Sequence, residues 1–399
     1  MTSLEDWIAA QRAHAIAGLL RCISSSQTKT RPGFGQVIVP RRGSVVASPV
    51  LADWNPEPDY FFHWYRDSAL VIDALRLVRG DVPEARRHLA DFTDFSLELA
   101  ALDGRDMPPG WQAHVAPDFV RFLRKDIAHV YGDTVAAEAR VNPDGTLDIS
   151  DWPRPQYDGP ALRALALLRW GADSAMQKQL VVADLRFLLA HARNPCFGIW
   201  EEESGLHYYT LRVGEAALRR GAAWLDDPDF AAACRREADA LAASLEGFWS
   251  PEQGFIRARR LAQGRSAREP DIAVILAANH AQIPPDARLT ATLDRLADHF
   301  RGSFAINRDV NDGPALGRYP GDTYFSGGAW FVATLGAAEY CYRAGDARRG
   351  DAFLETVRRF APDDGRLPEQ FDQGTGAPSS TPDLGWSHAA FLSCIAARG

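Results

Sequence analysis

An all-α fold of about twelve antiparallel helices, closed into an inner ring of six and an outer ring of six, is the architecture this sequence predicts. Three observations lead there. Apolar residues recur at helical spacing along most of the chain and alternate at strand spacing almost nowhere. The connections between helical segments are alternately long and short. Some segments are apolar on more than one side, as inner helices are, while others keep a polar stripe. A helical solenoid would also use antiparallel helices, but no sequence recurs at a fixed period.

The helices are expected at roughly 4–22, 64–79, 83–102, 159–170, 174–193, 206–221, 228–246, 270–280, 286–302, 328–344, 347–360 and 384–397. Asp81 and Asp227 are candidate N-caps, each followed within two residues by Pro83 or Pro228. Asp158 is a third, entering through Gly159 and Pro160. Gly80, Gly171 and Gly345 are placed to end helices at positive φ. Two stretches break the pattern: 34–50 reads as extended, and Asn142-Pro143-Asp144-Gly145 turns a short hairpin. Segments 270–280 and 384–397 are expected in the inner ring, 83–102 and 286–302 in the outer ring.

The 399 residues carry a formal charge of −8 and are 46% hydrophobic. One domain over residues 1–399 is expected, with no linker or separate binding module. No Lys/Arg block suits nucleic acid, and no apolar run suits a membrane span. Charged residues interrupt the first 25 positions, so a cytoplasmic protein is expected, or a periplasmic or secreted one if a leader was trimmed. The five Cys are scattered and odd in number, which favours reduced thiols. No cofactor is expected, and a monomer is. The ten His lack metal-ligand spacing; the stretch from Asn142 to Asp148 has a calcium-like composition without a complete ligand set.

In an antiparallel array alternate connections share one end, so the long loops should converge on one face. They hold the chemistry. The first runs Asp59-Tyr60-Phe61-Phe62-His63-Trp64-Tyr65-Arg66-Asp67, where Arg66 and Asp67 form a fork of donors and acceptors. The second, Asp151-Trp152-Pro153-Arg154-Pro155-Gln156, is stiffened by prolines that present Trp152 and Arg154. The third holds Trp200-Glu201-Glu202-Glu203, and the fifth runs from Gly317 to Trp330. The sixth holds Leu367-Pro368-Glu369-Gln370 and Trp386. The fourth loop offers Asp271, a plain cap. Two carboxylic acids from distant loops, amid Trp and Arg, suit glycosidic bond cleavage: one protonates the departing oxygen, the other activates water. Apolar burial would keep a proton on one of three adjacent acids. Loop Trp faces suit sugar rings.

WYRD at 64–67, WPRPQYDGPALR at 152–163, WEEESG at 200–205, GRYPGDTY at 317–324 and LPEQFD at 367–372 occur in one order. With AWFVATLGAAEY at 329–340 and DLGWSHAAFL at 383–392, the chain resembles the glucoamylases of glycoside hydrolase family 15 over nearly its whole length. The resemblance implies an (α/α)6 barrel with a blind pocket. It implies exo-hydrolysis of α-glucosidic bonds from the non-reducing end with inversion to β-glucose, a polysaccharide-degrading activity on α-1,4 and possible α-1,6 gluco-oligosaccharides. It implies Glu201 as general acid and Glu369 as general base. Arg66, Asp67 and Arg318 would grip the terminal glucose, with Glu202 nearby, and Tyr60, Trp152, Trp330 and Trp386 would be pocket walls. Trp64, Arg154 and Trp200 complete the substrate-binding candidates.

The chain departs from the family pattern at Asp151, Pro153 and His388, changes expected at the pocket rim and bearing on linkage. Soluble oligosaccharides are expected over granular starch. Glucodextranase or trehalase specificity on the same scaffold, and a noncatalytic sugar-sensing relative, stay open as alternatives.

Overall fold

In the computed structural model, which describes residues 3–53, 56–310 and 312–399, twelve α-helices are found among the described residues. They are α1 Leu4–Cys22, α2 Tyr65–Leu77, α3 Ala85–Leu99, α4 Asp158–Trp170, α5 Ala175–His191 and α6 Tyr208–Trp224. Then follow α7 Pro228–Glu246, α8 Ala273–Ala281, α9 Ala287–Ser303, α10 Phe331–Arg343, α11 Ala347–Phe360 and α12 Gly385–Arg398.

The even-numbered helices form the inner ring: α2, α4, α6, α8, α10 and α12 each pack on the next, and α12 closes back onto α2. Each pairs with an outer neighbour, most closely α4 with α5, α6 with α7, α10 with α11 and α12 with α1. The result is an (α/α)6 barrel. Composition explains the sorting. All but one residue of α8 are buried, as are nine of the fourteen in α12, whereas α9 buries only a stripe of Leu289, Thr292, Leu293, Leu296, Ala297 and Phe300. A helix flanked on all sides has no face left for charge.

Local signals set many ends. Asp227 caps α7 by accepting from the amides of Asp229 and Phe230, with Pro228 in the first turn. Ser174 and Gln177 form a capping box on α5. Gly171 and Gly345 adopt positive φ where α4 and α10 end. Three expectations change. Asp81 caps nothing; it pairs with Arg12 of α1 at 2.6 Å, and α3 begins at Ala85 without a side-chain cap. Gly80 is not at positive φ, because α2 has already ended at Leu77. Asp158 is the first residue of α4 rather than its cap.

Short strands tie the long loops to the inner helices. His63–Trp64 pairs with Arg140–Val141 at the entrance of α2. Ser204–His207 pairs with Cys196–Phe197 and Arg259–Arg260 at the entrance of α6. Ala329–Trp330, Gln370–Phe371 and Pro378–Ser379 form a three-stranded ladder before α10. The hairpin predicted after Asn142 is present, with Gly145 at φ +86° and a bridge from Val141 to Leu147. The extended reading of 34–50 holds for Gln36–Ile38, which pairs with Lys29–Arg31. Between α3 and α4 the chain forms five 3₁₀ turns, among them Pro117–Phe122 and Gly132–Ala137. All five Cys are buried and unpaired. Among the described residues, no helix is long and apolar enough to cross a membrane.

Candidate active site

The long loops do converge. At the N-terminal ends of the inner helices they enclose a cavity of about 370 Å³. Tyr60, Trp64, Arg66, Asp67, Trp152, Trp200, Glu201, Glu202, Arg318, Trp330, Glu369 and Trp386 all line it. Strand pairing sets Trp64 at the cap of α2, so Arg66 and Asp67 fall in its first turn. Trp330 caps α10, and Trp386 is the second residue of α12.

Glu201 is held by a ring of donors. Its Oε1 accepts from Trp64 Nε1 at 2.9 Å, Gln156 Nε2 at 2.9 Å and Arg66 Nη2 at 3.3 Å, and its Oε2 accepts from Trp152 Nε1 at 2.6 Å. It is not in apolar surroundings, contrary to the expectation from the acidic triplet. Its backbone lies at φ +61°, a conformation that non-glycine residues adopt at a cost of about 1–3 kcal/mol and that recurs at functional sites. The turn is closed by a hydrogen bond from its amide to the Gly198 carbonyl at 2.9 Å.

The other two acids of the triplet have partners of their own. Glu202 accepts from Arg318 Nη2 at 3.0 Å, Arg268 Nη1 at 3.0 Å and Tyr319 Oη at 2.6 Å. Glu203 accepts from Arg259 at 3.0 Å and Ser266 at 2.7 Å. Three neighbouring carboxylates coexist because each is aimed at a separate set of donors.

Glu369 is the more deeply buried acid of the pair. Burial pushes its carboxyl up to about 7, against the opposing pull of Ser380, Arg318, Tyr60 and Gln370. Ser380 Oγ donates to Glu369 Oε2, and Ser380 itself lies at φ +64°. The ladder explains the juxtaposition, since Trp330 pairs with Gln370, which pairs with Ser379. Glu201 and Glu369 share the cavity without a direct hydrogen bond. Tyr60, whose hydroxyl lies 2.5 Å from that of Tyr324, feels the charge of both, and burial drives it well above the usual phenol range.

Two arginines set the charge at the cavity wall. Burial opposes the Arg66 charge, but Asp67, Asp158 and Glu201 outweigh it and raise its pKa. Its guanidinium lies 5.5 Å from the Trp386 ring centre. Burial pushes Asp67 up to about 6, despite Arg66. Arg318 is likewise buried yet held charged by Asp322 and Glu202, and it sits about 5 Å from the Trp330 and Trp200 rings. Trp200 Nε1 donates to Asp271 at 2.9 Å, so Asp271 braces a cavity wall as well as binding the amide of Ala273.

Arg154 does not reach the cavity. Its side chain turns away to Glu138 at 2.7 Å and Asp148 at 2.9 Å, bracing the proline-stiffened loop from behind. His388 is also no rim residue: it is fully buried against Gly18 of α1 and bonds Asp383 at 2.6 Å. Asp151 and Pro153 do line the cavity. The hairpin acid Asp148 is engaged by Arg140 and Arg154. Among the described residues, no group of three or more His, Cys, Asp or Glu is arranged to hold a metal.

Tyr324, Gln156 and Ser380 escaped the sequence reading as site residues. Tyr324 ends GRYPGDTY and Gln156 lies in the proline loop, so both sat inside motifs already singled out. Ser380 carried no signal, being one Ser in the stretch Ser379-Ser380-Thr381.

The family model of Glycosyl hydrolases family 15 matches residues 136–351 and 346–396. The chain belongs to glycosyl hydrolases family 15. Family 15 relatives match it from end to end: it is 27% identical to the probable glucoamylase of Schizosaccharomyces pombe over 456 residues, covering 99% of this chain and 92% of the relative. Family 15 structures share the fold. The glucoamylase from Saccharomycopsis fibuligera superposes with a TM-score of 0.80 at 22% identity, covering 100% of this chain and 96% of that one. The family 15 glucoamylase from Hypocrea jecorina superposes with a TM-score of 0.81 at 23% identity, covering 99% and 72%.

Proposed function

We propose that this family 15 glycoside hydrolase is an exo-acting glucoamylase-type enzyme that releases β-glucose from the non-reducing end of α-gluco-oligosaccharides with inversion. The observation that carries the reading is the pairing of Glu201 and Glu369 in one cavity whose walls are Trp, Tyr and Arg. Arg66, Asp67 and Arg318 hold the hydroxyls of the terminal glucose, and Trp330 and Trp386 pack against it. Glu201 gives its proton to the departing oxygen. Glu369 takes a proton from the water that attacks the anomeric carbon. A base near 7 suits that task, since a proton acceptor works best with a pKa close to the working pH.

One observation favours exchanging the two roles: burial raises the Glu369 carboxyl to about 7, which suits a proton donor as well as a base. Substrates separate the alternatives. α-Glucosyl fluoride needs no protonation of its leaving group. Glu201→Gln is expected to lose roughly 10²–10⁴ in turnover on maltose while keeping most turnover on the fluoride. Glu369→Gln is expected to lose both. The opposite pattern would exchange the roles, and near-wild-type activity of either variant on maltose would remove it from the mechanism. Glucose release from maltotriose, isomaltotriose and trehalose identifies the linkage, and release from none would favour a sugar sensor. Proton NMR during early turnover should show β-glucose.

A further inference from the structure

The short strand Arg140–Val141 carries a buried cation. Arg140 stands directly opposite Trp64 in the ladder at the entrance of α2, and only 2% of it is exposed. Its Nε donates to Asp148 at 2.8 Å and its Nη2 to Ser150 Oγ at 2.9 Å. Among the described residues, its buried Nη1 finds no hydrogen-bond partner. A buried donor left unmade costs free energy and calls for an explanation.

The neighbouring rings supply one. The guanidinium carbon lies 3.7 Å from the Trp152 ring centre, 4.0 Å from that of Phe62 and 4.7 Å from that of Trp64. The two indoles are the ones that grip Glu201, Trp64 on Oε1 at 2.9 Å and Trp152 on Oε2 at 2.6 Å. They meet edge to face, with ring centres 5.9 Å apart. A cation over an indole is attracted by the negative face of the ring, most strongly where water is excluded. It also draws electron density away from the N–H at the ring edge, and a more polarised N–H is a stronger donor to a carboxylate. From wall to cavity the order is cation, ring, carboxylate. Burial works against the Arg140 charge, while Asp148 and, across the indoles, Glu201 support it.

Balancing Asp148 does not by itself account for Arg140. Asp148 also pairs with Arg154 at 2.9 Å and accepts from the Ser150 amide at 2.9 Å and hydroxyl at 2.7 Å. Arg140 does not line the carboxylate cavity, so any effect on the chemistry passes through the two indoles. We infer that Arg140 is a positioning residue for hydrolysis: stacked on Trp64 and Trp152, it fixes and polarises the two N–H donors that hold Glu201. The inference rests on the function proposed above for the part that Glu201 plays.

The test uses Arg140→Met, which removes the charge and the flat guanidinium, and Arg140→Lys, which keeps the charge. Each variant leaves Asp148 with Arg154, and Glu201 with Arg66 and Gln156. Arg140→Met is expected to lose about tenfold or more in kcat on maltose, the scale of desolvated cation–π contacts. Turnover of α-glucosyl fluoride, which needs no proton, should stay within about threefold. Arg140→Lys should recover part of the maltose loss. The cation and the polarised donors both favour a charged Glu201, so their loss should move one limb of the pH–rate profile upward. The basic limb moves if Glu201 is the acid. The acid limb moves, with both substrates slowed, if the two carboxylates exchange roles, and Arg140 is then still coupled to Glu201. Unchanged kcat, or equal loss on both substrates with neither limb moved, would overturn the inference. If Arg140→Met does not fold, Arg140→Lys carries the test, since an ammonium lacks the flat face that lies on the rings and should give a smaller change of the same kind. Absence of turnover in wild type would count against the hydrolase reading instead. The indole N–H proton resonances, assigned through Trp64→Phe and Trp152→Phe, then decide: an upfield move of both in Arg140→Met, or a smaller one in Arg140→Lys, supports the stacking, and unmoved resonances reject it.

Discussion

The pairing of Ser380 with Glu369 fixes where the pH dependence of this site should lie. The hydroxyl donates to the carboxylate and so favours its charged form, while burial favours the neutral one. Removing the donor leaves burial with less opposition, so the carboxyl rises further. If Glu369 works ionised, the acid limb of kcat/KM moves up by about one pH unit, the scale of one hydrogen bond to a charged group. Ser380→Gly is the cleaner variant, because Gly also suits the backbone at φ +64°. A pH–rate profile measured for wild type and variant checks this; an unmoved acid limb would separate Ser380 from the chemistry. At this scale, twelve of the thirteen residues singled out from the motifs line the cavity, and Arg154 does not. Adjacency along the chain does not say which way a side chain turns, and Arg154 had two buried acids behind it to turn toward. Nor could the triplet reveal that its first Glu meets four donors from three other loop residues and a helix.

Inner helices pack closely only where side chains permit, and the entrance of α4 shows how tightly. A Cβ on Gly159 would lie 2.5 Å from the Cβ of Tyr65, across the junction of α4 and α2. Neither atom is the end of a flexible chain. Gly159→Ala is expected to destabilise the fold by about 1–3 kcal/mol through overpacking, and to disturb the neighbouring Arg66 and Asp158. Thermal melting and the KM for maltose measure the two effects; an unchanged melting temperature would show that the junction yields freely. Helices were the most legible elements, because an amphipathic period repeated over three or more turns is a strong signal. Their ends were less so. Asp81 had the composition of a cap, but an arginine on α1 was in reach and took it. The 3₁₀ turns between α3 and α4 could not be read at all, since runs of three to six residues hold no period to detect.

For the whole molecule, buried titratable groups pull stability in opposite directions with pH. Burial lowers His63 and His280 to about 3 and His207 to about 4. The unfolded chain then binds more protons between about 4 and 6.5, so these groups make stability rise with pH across that window. Burial raises Glu269, Glu339 and Glu369 to about 7. The folded chain then holds more protons between about 4.5 and 7, so these make stability fall as pH rises. The two sets oppose each other up to about 6.5, and above it the carboxylates act alone. Glu369→Gln removes one of them, so it should raise the melting temperature at pH 8 and leave it little changed at pH 4. Melts at the two values decide it, and an equal shift at both would contradict the burial argument. The closed ring was legible from alternating loop lengths. What closes it, α12 packing on both α2 and α1, leaves Glu5 and Arg398 joined at 2.5 Å. A circle has no obligatory first member. Joining those two ends by a short linker and opening the backbone instead at Asp226, in the α6–α7 connection far from the carboxylates, should yield a permuted chain that still folds and still turns over its sugar.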